Sequence, residues 1–330
     1  MGLAEASFGK VDLEQITLGQ DIIWEKSDPY VPGTMVLVIE TTKENQVVNL
    51  GYNLGRWQGD KSAAKYPTKG TIKFDDELNE VEFNGTEGTK EEDNSLVHTY
   101  AETGEHRITI NGIIKWNKAS TMSSTHNSIQ EILKSIEIPE NEISPIYYID
   151  TYAFYYYENL ESIPGNLFEN CTEVTNFEYC FHRTPITKIP EGLFDKCTQA
   201  KDFSSCFYNT KITEIPTGLF DQCPQATNFN YCFSAISITA IPEGLFDSCT
   251  QATNFYACFY LTQITAIPQD LFANNNAVTN FSSTFYNCSE VEGELPTLWE
   301  SHPNATKHTK CFTNCTQATN YQEARSRGWA

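Results

Sequence analysis

The sequence predicts a β-rich fold with a minor α+β component: an N-terminal antiparallel β-sandwich followed by a solenoid of about six 26-residue turns. Three observations predict it. A six-residue phrase and two registers of cysteine recur at one period, and short alternating apolar segments without long helical patterns fill the first 130 residues. A period of roughly 20–50 residues is typical of stacked units that cannot bury an apolar face alone.

The recurring phrase is Ile-Pro-x-x-Leu-Phe. Its copies begin at Ile163, Ile189, Ile215, Ile241 and, in degraded form, Ile267. Within one turn, residues 212–215 alternate apolar and polar, which predicts a short strand. A proline ends that strand because it cannot donate to a sheet ladder. Residues 217–221 then predict a single helical turn with Leu219 and Phe220 facing inward, and residues 226–229 predict the start of a second extended segment.

Eight of the eleven cysteines follow the period in two registers nine residues apart. They form either a disulfide within each turn or two ladders of buried thiols, which are small and apolar enough to stack in a narrow interior. The odd number of cysteines favours free thiols. So does the next turn, where small polar residues replace both registers. The registers are Cys171, Cys197, Cys223, Cys249 and Asn275, and Cys180, Cys206, Cys232, Cys258 and Thr284.

An asparagine also recurs in most turns, with one aspartate as the exception. We expect it to be buried and to hydrogen-bond the backbone of the next turn, where it would satisfy otherwise unpaired amides. The positions are Asn176, Asp202, Asn228, Asn254, Asn280 and Asn320.

Residues 227–233, followed by 238–242, resemble the BspA-like leucine-rich repeats of bacterial surface proteins, and residues 153–164 do so too. An aromatic and small-polar stretch precedes Ile-Pro and then Leu-Phe in turn after turn. The resemblance spans roughly residues 146–321 and departs from the pattern at Leu295, where the spacing lengthens by two. It implies a leucine-rich-repeat-type solenoid and a non-enzymatic protein that functions in adhesion.

Segments 35–40, 47–50, 70–74, 80–83 and 106–116 are strand-like and predict the β-sandwich. Residues 98–110 are similar to the closing strands of polycystic-kidney-disease-type domains, which implies that sandwich subtype. His98 and Tyr100 are expected to be core and corner residues of the sandwich.

Residues 11–26 resemble the opening hairpin of tailed-phage and prophage structural proteins. The first residues have no basic start and no apolar core of a secretory signal. We therefore expect either a mature fragment or a virion protein that leaves its cell by lysis.

We expect four parts in the chain. Residues 1–29 form an N-terminal arm or hairpin, and residues 30–118 form the β-sandwich domain. Residues 119–145 hold a linker and a capping helix, because apolar residues within 128–136 have helical spacing and terminal turns need a cap. Residues 146–330 form the leucine-rich-repeat solenoid with its C-terminal cap.

The net charge of −21 argues against nucleic acid and anionic membrane surfaces as partners. No apolar run approaches the roughly 18–20 residues of a membrane span. The acidic clusters lack the oxygen-ligand spacing of a calcium loop. No catalytic motif and no metal or cofactor motif is present, so we expect no catalytic residues, no metal and no cofactor.

Comparison of the turns separates a constant scaffold from positions that vary, and the varying positions are rich in tyrosine, serine, threonine and asparagine. Tyrosine rings with neighbouring hydroxyls suit sugars or protein partners, because they supply contact area at little entropic cost. The alternative is that each tyrosine only packs along the edge of the solenoid. The candidate binding residues are Tyr179, Tyr208, Tyr231, Tyr256, Tyr260 and Tyr286.

The sequence therefore predicts a non-enzymatic binding or adhesion protein, surface-exposed on a phage or prophage virion as a head or tail decoration or fibre. Its expected partners are a protein or glycan ligand on a cell surface, with homo-oligomerisation or docking to other virion proteins through the N-terminal region. The alternative is a bacterial cell-surface adhesin of the BspA-like type. A second alternative, a glycan-active enzyme, would need two carboxylates facing each other across a groove.

Overall fold

The structure of the protein is a computed structural model that describes residues 15–18, 21–25, 32–50, 54, 69–84, 96–116 and 129–330. The chain divides into two compact units, Met1–Val31 and Pro32–Ala330. In the first unit, strand β1 (Gln15–Leu18) pairs antiparallel with β2 (Asp21–Glu25), and the register shifts between Ile16 and Thr17.

The second unit begins with one large and one small sheet. The large sheet has the strand order β6-β5-β8-β3-β9, all antiparallel, and β10 pairs parallel with the end of β8. The small sheet pairs β4 with β7. The strands are β3 (Gly33–Thr41), β4 (Gln46–Asn49), β5 (Lys69–Phe74), β6 (Val81–Asn84), β7 (Val97–Tyr100), β8 (Gly104–Trp116), β9 (Leu133–Glu137) and β10 (Ile146–Ile149).

Buried side chains of both sheets share one core. Leu37 and Ile39 of β3, Ile108 of β8 and Val48 of β4 are fully buried. Tyr100 of β7 is also buried, as predicted for a core residue, and its ring lies against His98 and His106. The predicted β-rich class is confirmed.

The predicted capping helix is wrong. In the described part of this segment, which begins at residue 129, a 3₁₀ turn (Ile129–Glu131) forms, and strand β9 follows it and joins the edge of β3. Leu133 and Ile136 are buried, so their spacing fits a strand as well as a helix. Backbone hydrogen bonds to the edge of β3 favour the strand over the helix for this segment. The N–H of Ile136 then donates to Ser162 of the first turn, so the solenoid is entered through a strand.

The core is continuous from Met35 in β3 to Trp329 at the C-terminus. The predicted boundary between sandwich and solenoid, near residues 118–127, lies outside the described residues.

The extended segment predicted from residue 226 is limited to an isolated bridge at Asn228, and in each solenoid turn a tightly turned segment follows this position. Within it, alternate amides point to the neighbouring turn: the N–H groups of Phe229, Tyr231 and Phe233 donate to carbonyls 25 residues later, at 2.9 Å each. Of the amides between them, that of Cys232 donates to Phe229 three residues earlier at 3.1 Å, and that of Asn230 donates to the side chain of Asn228 at 3.3 Å. Tyr231 and Ala235 have positive φ angles of 53° and 57°, and these left-handed residues produce the alternation.

The strand predicted at residues 212–215 is also absent. Lys211 just before it makes a single bond to the preceding turn, at 3.1 Å, because the inter-turn ladder is formed by the turned segment instead. The isolated β-bridges between turns lie at the asparagine position, for example between Asn228 and Asn254.

The Leu-Phe part of each turn is confirmed as a single turn. The N–H of Asp221 donates to Gly218 at 3.0 Å, and the φ of Gly218 is +74°, a conformation that glycine adopts without strain. Leu219 and Phe220 both point into the core and are 5% and 0% exposed.

Phenylalanine rings stack across the turns in parallel columns. Phe220 lies 6.0 Å from Phe194 and 6.0 Å from Phe246, with the three rings nearly parallel. The edges of Phe203 and Phe229 meet this column at 4.8 and 5.0 Å. Both offset-stacked and edge-on contacts are favourable aromatic geometries, so the columns tie each turn to its neighbours.

The eleven cysteines are all free and buried, which resolves the sequence alternatives in favour of thiol ladders. In the first register Cys171 donates to the Ile146 carbonyl of β10 at 3.4 Å, and the next three thiols each donate to a phenylalanine carbonyl of the preceding turn, as Cys223 does to Phe194 at 3.9 Å. Asn275 and His302 continue the register and donate to the equivalent carbonyls at 3.0 and 3.2 Å. The replacements therefore preserve a hydrogen bond to the same carbonyl position.

Burial raises the pKa of Cys223 to about 12 and the pKa of Cys288 to about 11. We expect fewer than about one thiol per native chain to react with Ellman's reagent at pH 8, because the thiolate is the reactive species. In urea all eleven should react. Several reactive thiols in the native chain, or markedly fewer than eleven after unfolding, would contradict the ladder of free thiols.

The recurring asparagines are half-buried and bond differently from the prediction. Each side-chain oxygen accepts the amide two residues later in its own turn, as Asn254 does from Tyr256 at 3.0 Å. The amide nitrogen of Asn254 donates to the side chain of Asn228 at 2.9 Å. Asn320 lies outside this ladder: it exchanges two bonds with the backbone of Leu295.

The last turn closes the solenoid. Helices α1 (Leu298–Ser301) and α2 (Tyr321–Ser326) flank it, and the N–H of Phe312 donates to Trp329 at 2.8 Å. The Trp329 ring covers the end of the aromatic core beside Phe281 and Phe312.

Candidate functional site: the tyrosine groove

The turned segments place two columns of side chains on one face of the solenoid. The first left-handed residue of each segment belongs to one column, and the residue three positions later belongs to the other. The first column is Tyr152, Tyr179, Ser205, Tyr231, Ala257, Ser283 and Lys310. The second is Tyr155, His182, Tyr208, Ser234, Tyr260 and Tyr286.

A shallow groove of about 580 Å³ runs along these columns, and all six tyrosines predicted as candidate binding residues line it. We call it the tyrosine groove. Its other described lining residues are His182, Arg183, Ser205, Ser283 and Lys310. The six tyrosines are half-buried, so each ring is held by its neighbours while part of it reaches solvent.

The rings of the groove contact one another from turn to turn. His182 stacks on Tyr208 with ring centroids 4.6 Å apart, and Tyr260 stacks on Tyr286 at 5.3 Å. Tyr231 instead meets Tyr256 edge to face at 5.2 Å, and the two hydroxyls lie 3.4 Å apart. The centre of the groove therefore combines ring surface with paired hydroxyls.

Three tyrosines of the first turn extend the aromatic surface beyond the groove. Tyr152 stacks on Tyr179 at 4.6 Å and Tyr155 stacks on His182 at 5.1 Å. Tyr156 lies against Tyr155 at 4.5 Å. The sequence comparison did not select these residues, because Tyr152 and Tyr155 lie 27 residues before Tyr179 and His182, one more than the 26-residue period.

Burial, and then the hydrogen bond that Tyr231 donates to its neighbour Tyr256, raises the pKa of Tyr231 above its usual range, so this phenol is protonated at neutral pH. Burial also raises the pKa of Tyr152. A protonated phenol both donates and accepts hydrogen bonds, which suits a ligand with hydroxyl or carboxylate groups.

His182 is neutral at physiological pH. It is 8% exposed and lies between the rings of Tyr155 and Tyr208. Burial lowers its pKa to about 4. It therefore serves as an uncharged aromatic in this face, and sequence comparison missed it because it breaks the tyrosine column.

The charge of the groove differs from that of the chain. The chain has 43 acidic and 22 basic residues, yet none of the described residues that line the groove is acidic. Arg183 lies over the ring of Tyr156 at 5.0 Å, and Lys310 over Tyr286 at 5.9 Å. Each cation is thus placed by contact with an aromatic face.

The described parts of the chain show neither a metal-binding cluster nor a membrane-spanning helix. No group of three or more His, Cys, Asp or Glu side chains there has a geometry that could hold a metal ion. No helix in those ranges is long and apolar enough to cross a membrane.

The stacked turns and the non-acidic aromatic groove define the class of the protein, a leucine-rich-repeat solenoid with a variable surface on a constant frame. The chain belongs to the family described as BspA type leucine rich repeat region, which matches residues 127–253 and 161–292 in six copies.

Comparisons with other proteins add little beyond the family. No curated protein matches the chain. Among solved structures, a chain of the Toll–Spatzle complex from Drosophila is 18% identical over 41% of this chain, with a TM-score of 0.23. The match spans 22% of that chain.

Proposed function

We propose that the protein is a non-enzymatic binding protein that holds its ligand in the tyrosine groove. The observation that carries the proposal is that the residues varying between turns converge on one aromatic groove, while the residues that repeat form the core. Membership of the BspA type family supports a binding or adhesion function at a surface.

We further propose that the protein is exposed on a phage or prophage virion, as a decoration or fibre, and contacts a protein or glycan on a cell surface. The resemblance of residues 11–26 to phage structural proteins supports this location. The BspA type family favours the alternative, a bacterial cell-surface adhesin. Gold-labelled antibody applied to purified particles and to intact cells distinguishes the two.

The geometry supports binding over glycoside hydrolysis. A glycosidase places two carboxyl groups on either side of the scissile bond. Among the described residues that line the groove there is no carboxylate.

Shortening the groove tyrosines should weaken binding without unfolding the chain. The double variant Tyr231→Ala/Tyr260→Ser copies Ala257 and Ser234, which occupy the same columns in other turns, so the backbone already accepts these residues. We expect saturable binding of the full chain to host cells or arrayed glycans. The double variant should bind at least roughly tenfold more weakly, since a groove aromatic contributes about 1–2 kcal/mol.

The matched control is Thr253→Ala, next to Asn254 in the asparagine ladder. Thr253 is exposed, and its side chain donates to the Thr227 carbonyl of the preceding turn. It should bind like the unaltered chain. Equal binding by the double variant, or no saturable binding by the folded full chain to any cell or glycan, would overturn the proposal.

A further inference from the structure

Two cations mark the ends of the tyrosine groove. Arg183 belongs to the second turned segment and Lys310 to the seventh, five turns apart. Inter-turn hydrogen bonds of strand type set a rise of about 4.8 Å per turn, so the two residues are separated by about 24 Å along the solenoid axis. That length accommodates several sugar rings of a linear chain.

Both cations are exposed and lie over aromatic rings. No described carboxylate forms an ion pair with either one. The described residues that line the groove between these two cations include no acid. The groove is therefore a local positive site in a chain of net charge −21. A polyanion of matching length would be repelled by most of the surface and attracted here.

The lining between the cations indicates which polyanion fits. The described side chains there are tyrosines, a neutral histidine and serines, and no aliphatic side chain is among them. An acidic peptide would require apolar pockets for anchor residues or a free strand edge for its backbone. Phenol and serine hydroxyls with exposed ring surface instead match a chain of hydroxyl-bearing rings.

We propose that the ligand of the tyrosine groove is a linear polysaccharide that carries carboxylate groups and lies along the solenoid axis. Arg183 and Lys310 bind its carboxylates, and the tyrosines between them contact its rings and hydroxyls. This inference rests on the proposed binding function of the groove and adds the ligand class. The carboxylates belong either to uronate units of the main chain or to sialate units, and both sources present the same charge.

The test measures binding of the full chain by calorimetry at low ionic strength. The probes are polygalacturonate and polysialic acid as the two carboxylate sources, carboxyl-reduced polygalacturonate as the neutral match, and poly-glutamate as the acidic peptide. We expect at least one acidic polysaccharide to bind roughly tenfold or more tightly than the neutral polymer and poly-glutamate. Arg183→Gln/Lys310→Gln should weaken that binding roughly tenfold.

The matched control is Lys188→Gln/Lys201→Gln, which removes the same charge from exposed positions outside the groove lining. It should leave the affinity within about twofold. The inference is overturned by equal binding of the neutral polymer or of poly-glutamate. It is also overturned if neither acidic polysaccharide binds, or if the control pair weakens binding as much as the groove pair.

Failure of this inference is distinguishable from failure of the proposed function. If a neutral glycan or a cell-surface protein binds and Tyr231→Ala/Tyr260→Ser weakens that binding, the groove is the binding site and only the ligand class is wrong. If no variant of the tyrosine groove changes any binding, both proposals fail.

Discussion

Replacing Phe220 by alanine should lower the free energy of unfolding by about 3–5 kcal/mol, the usual cost of removing a buried phenylalanine. The ring is fully buried and lies within about 6 Å of five other phenylalanines, in its own turn and the two adjacent turns. Deleting it leaves a cavity that these rings cannot close, because each is fixed by its own stack. Stability of a solenoid depends on interfaces between neighbouring turns, so the loss weakens two interfaces at once.

Urea unfolding followed by circular dichroism measures the effect as a shift of the transition midpoint. The neighbouring exposed Gln222→Ala should change the free energy by less than about 0.5 kcal/mol. A Phe220→Ala chain as stable as this control would show that the phenylalanine columns do not hold the turns together.

Acidification from pH 7 to pH 5 should cost about 2 kcal/mol of stability through His182 alone. Its pKa is about 4 in the fold and 6.5 in the unfolded chain, so the unfolded state binds more protons between these values. Stability is therefore complete above about pH 6.5 and is lost as the pH falls toward 4. Burial lowers the pKa of His302 too, which adds a contribution of the same sign.

The variant His182→Tyr isolates this contribution, because it copies Tyr155 and Tyr208 of the same column and has no group that titrates in this range. It should unfold with a clearly smaller difference between pH 5 and pH 7. His302→Asn, which copies Asn275 of its own register, should reduce the difference in the same direction. An unchanged pH dependence in His182→Tyr would mean that the imidazole is not held neutral in the stack.

Much of the solenoid could be predicted because the sequence pattern that specifies one turn is short and recurs in the following turns. The 26-residue period, the inward Leu219 and Phe220 and the cysteine registers each follow from spacing alone. The six tyrosines were found in the same way, as positions that vary on a constant frame. Their binding function remains a prediction.

Other features depend on partners distant in the chain. Residues 129–137 have a pattern that fits a helix or a strand, and only the open edge of β3 decides for the strand. The extended segments predicted at 212–215 and from 226 fail because left-handed residues such as Tyr231 and Ala235 direct alternate amides to the next turn. The amino-acid composition does not predict tyrosines with left-handed backbone angles, because residues other than glycine rarely adopt that conformation.

The sequence by itself determined that this protein is a stacked solenoid, because a fixed period requires each turn to repeat the contacts of the last. Only the tertiary structure decided that its varying side chains form one groove. Stacking at a constant rise converts residues 25 or 26 positions apart into neighbours, and so it joins Tyr231 to Tyr256 and places Arg183 and Lys310 at opposite ends of one surface.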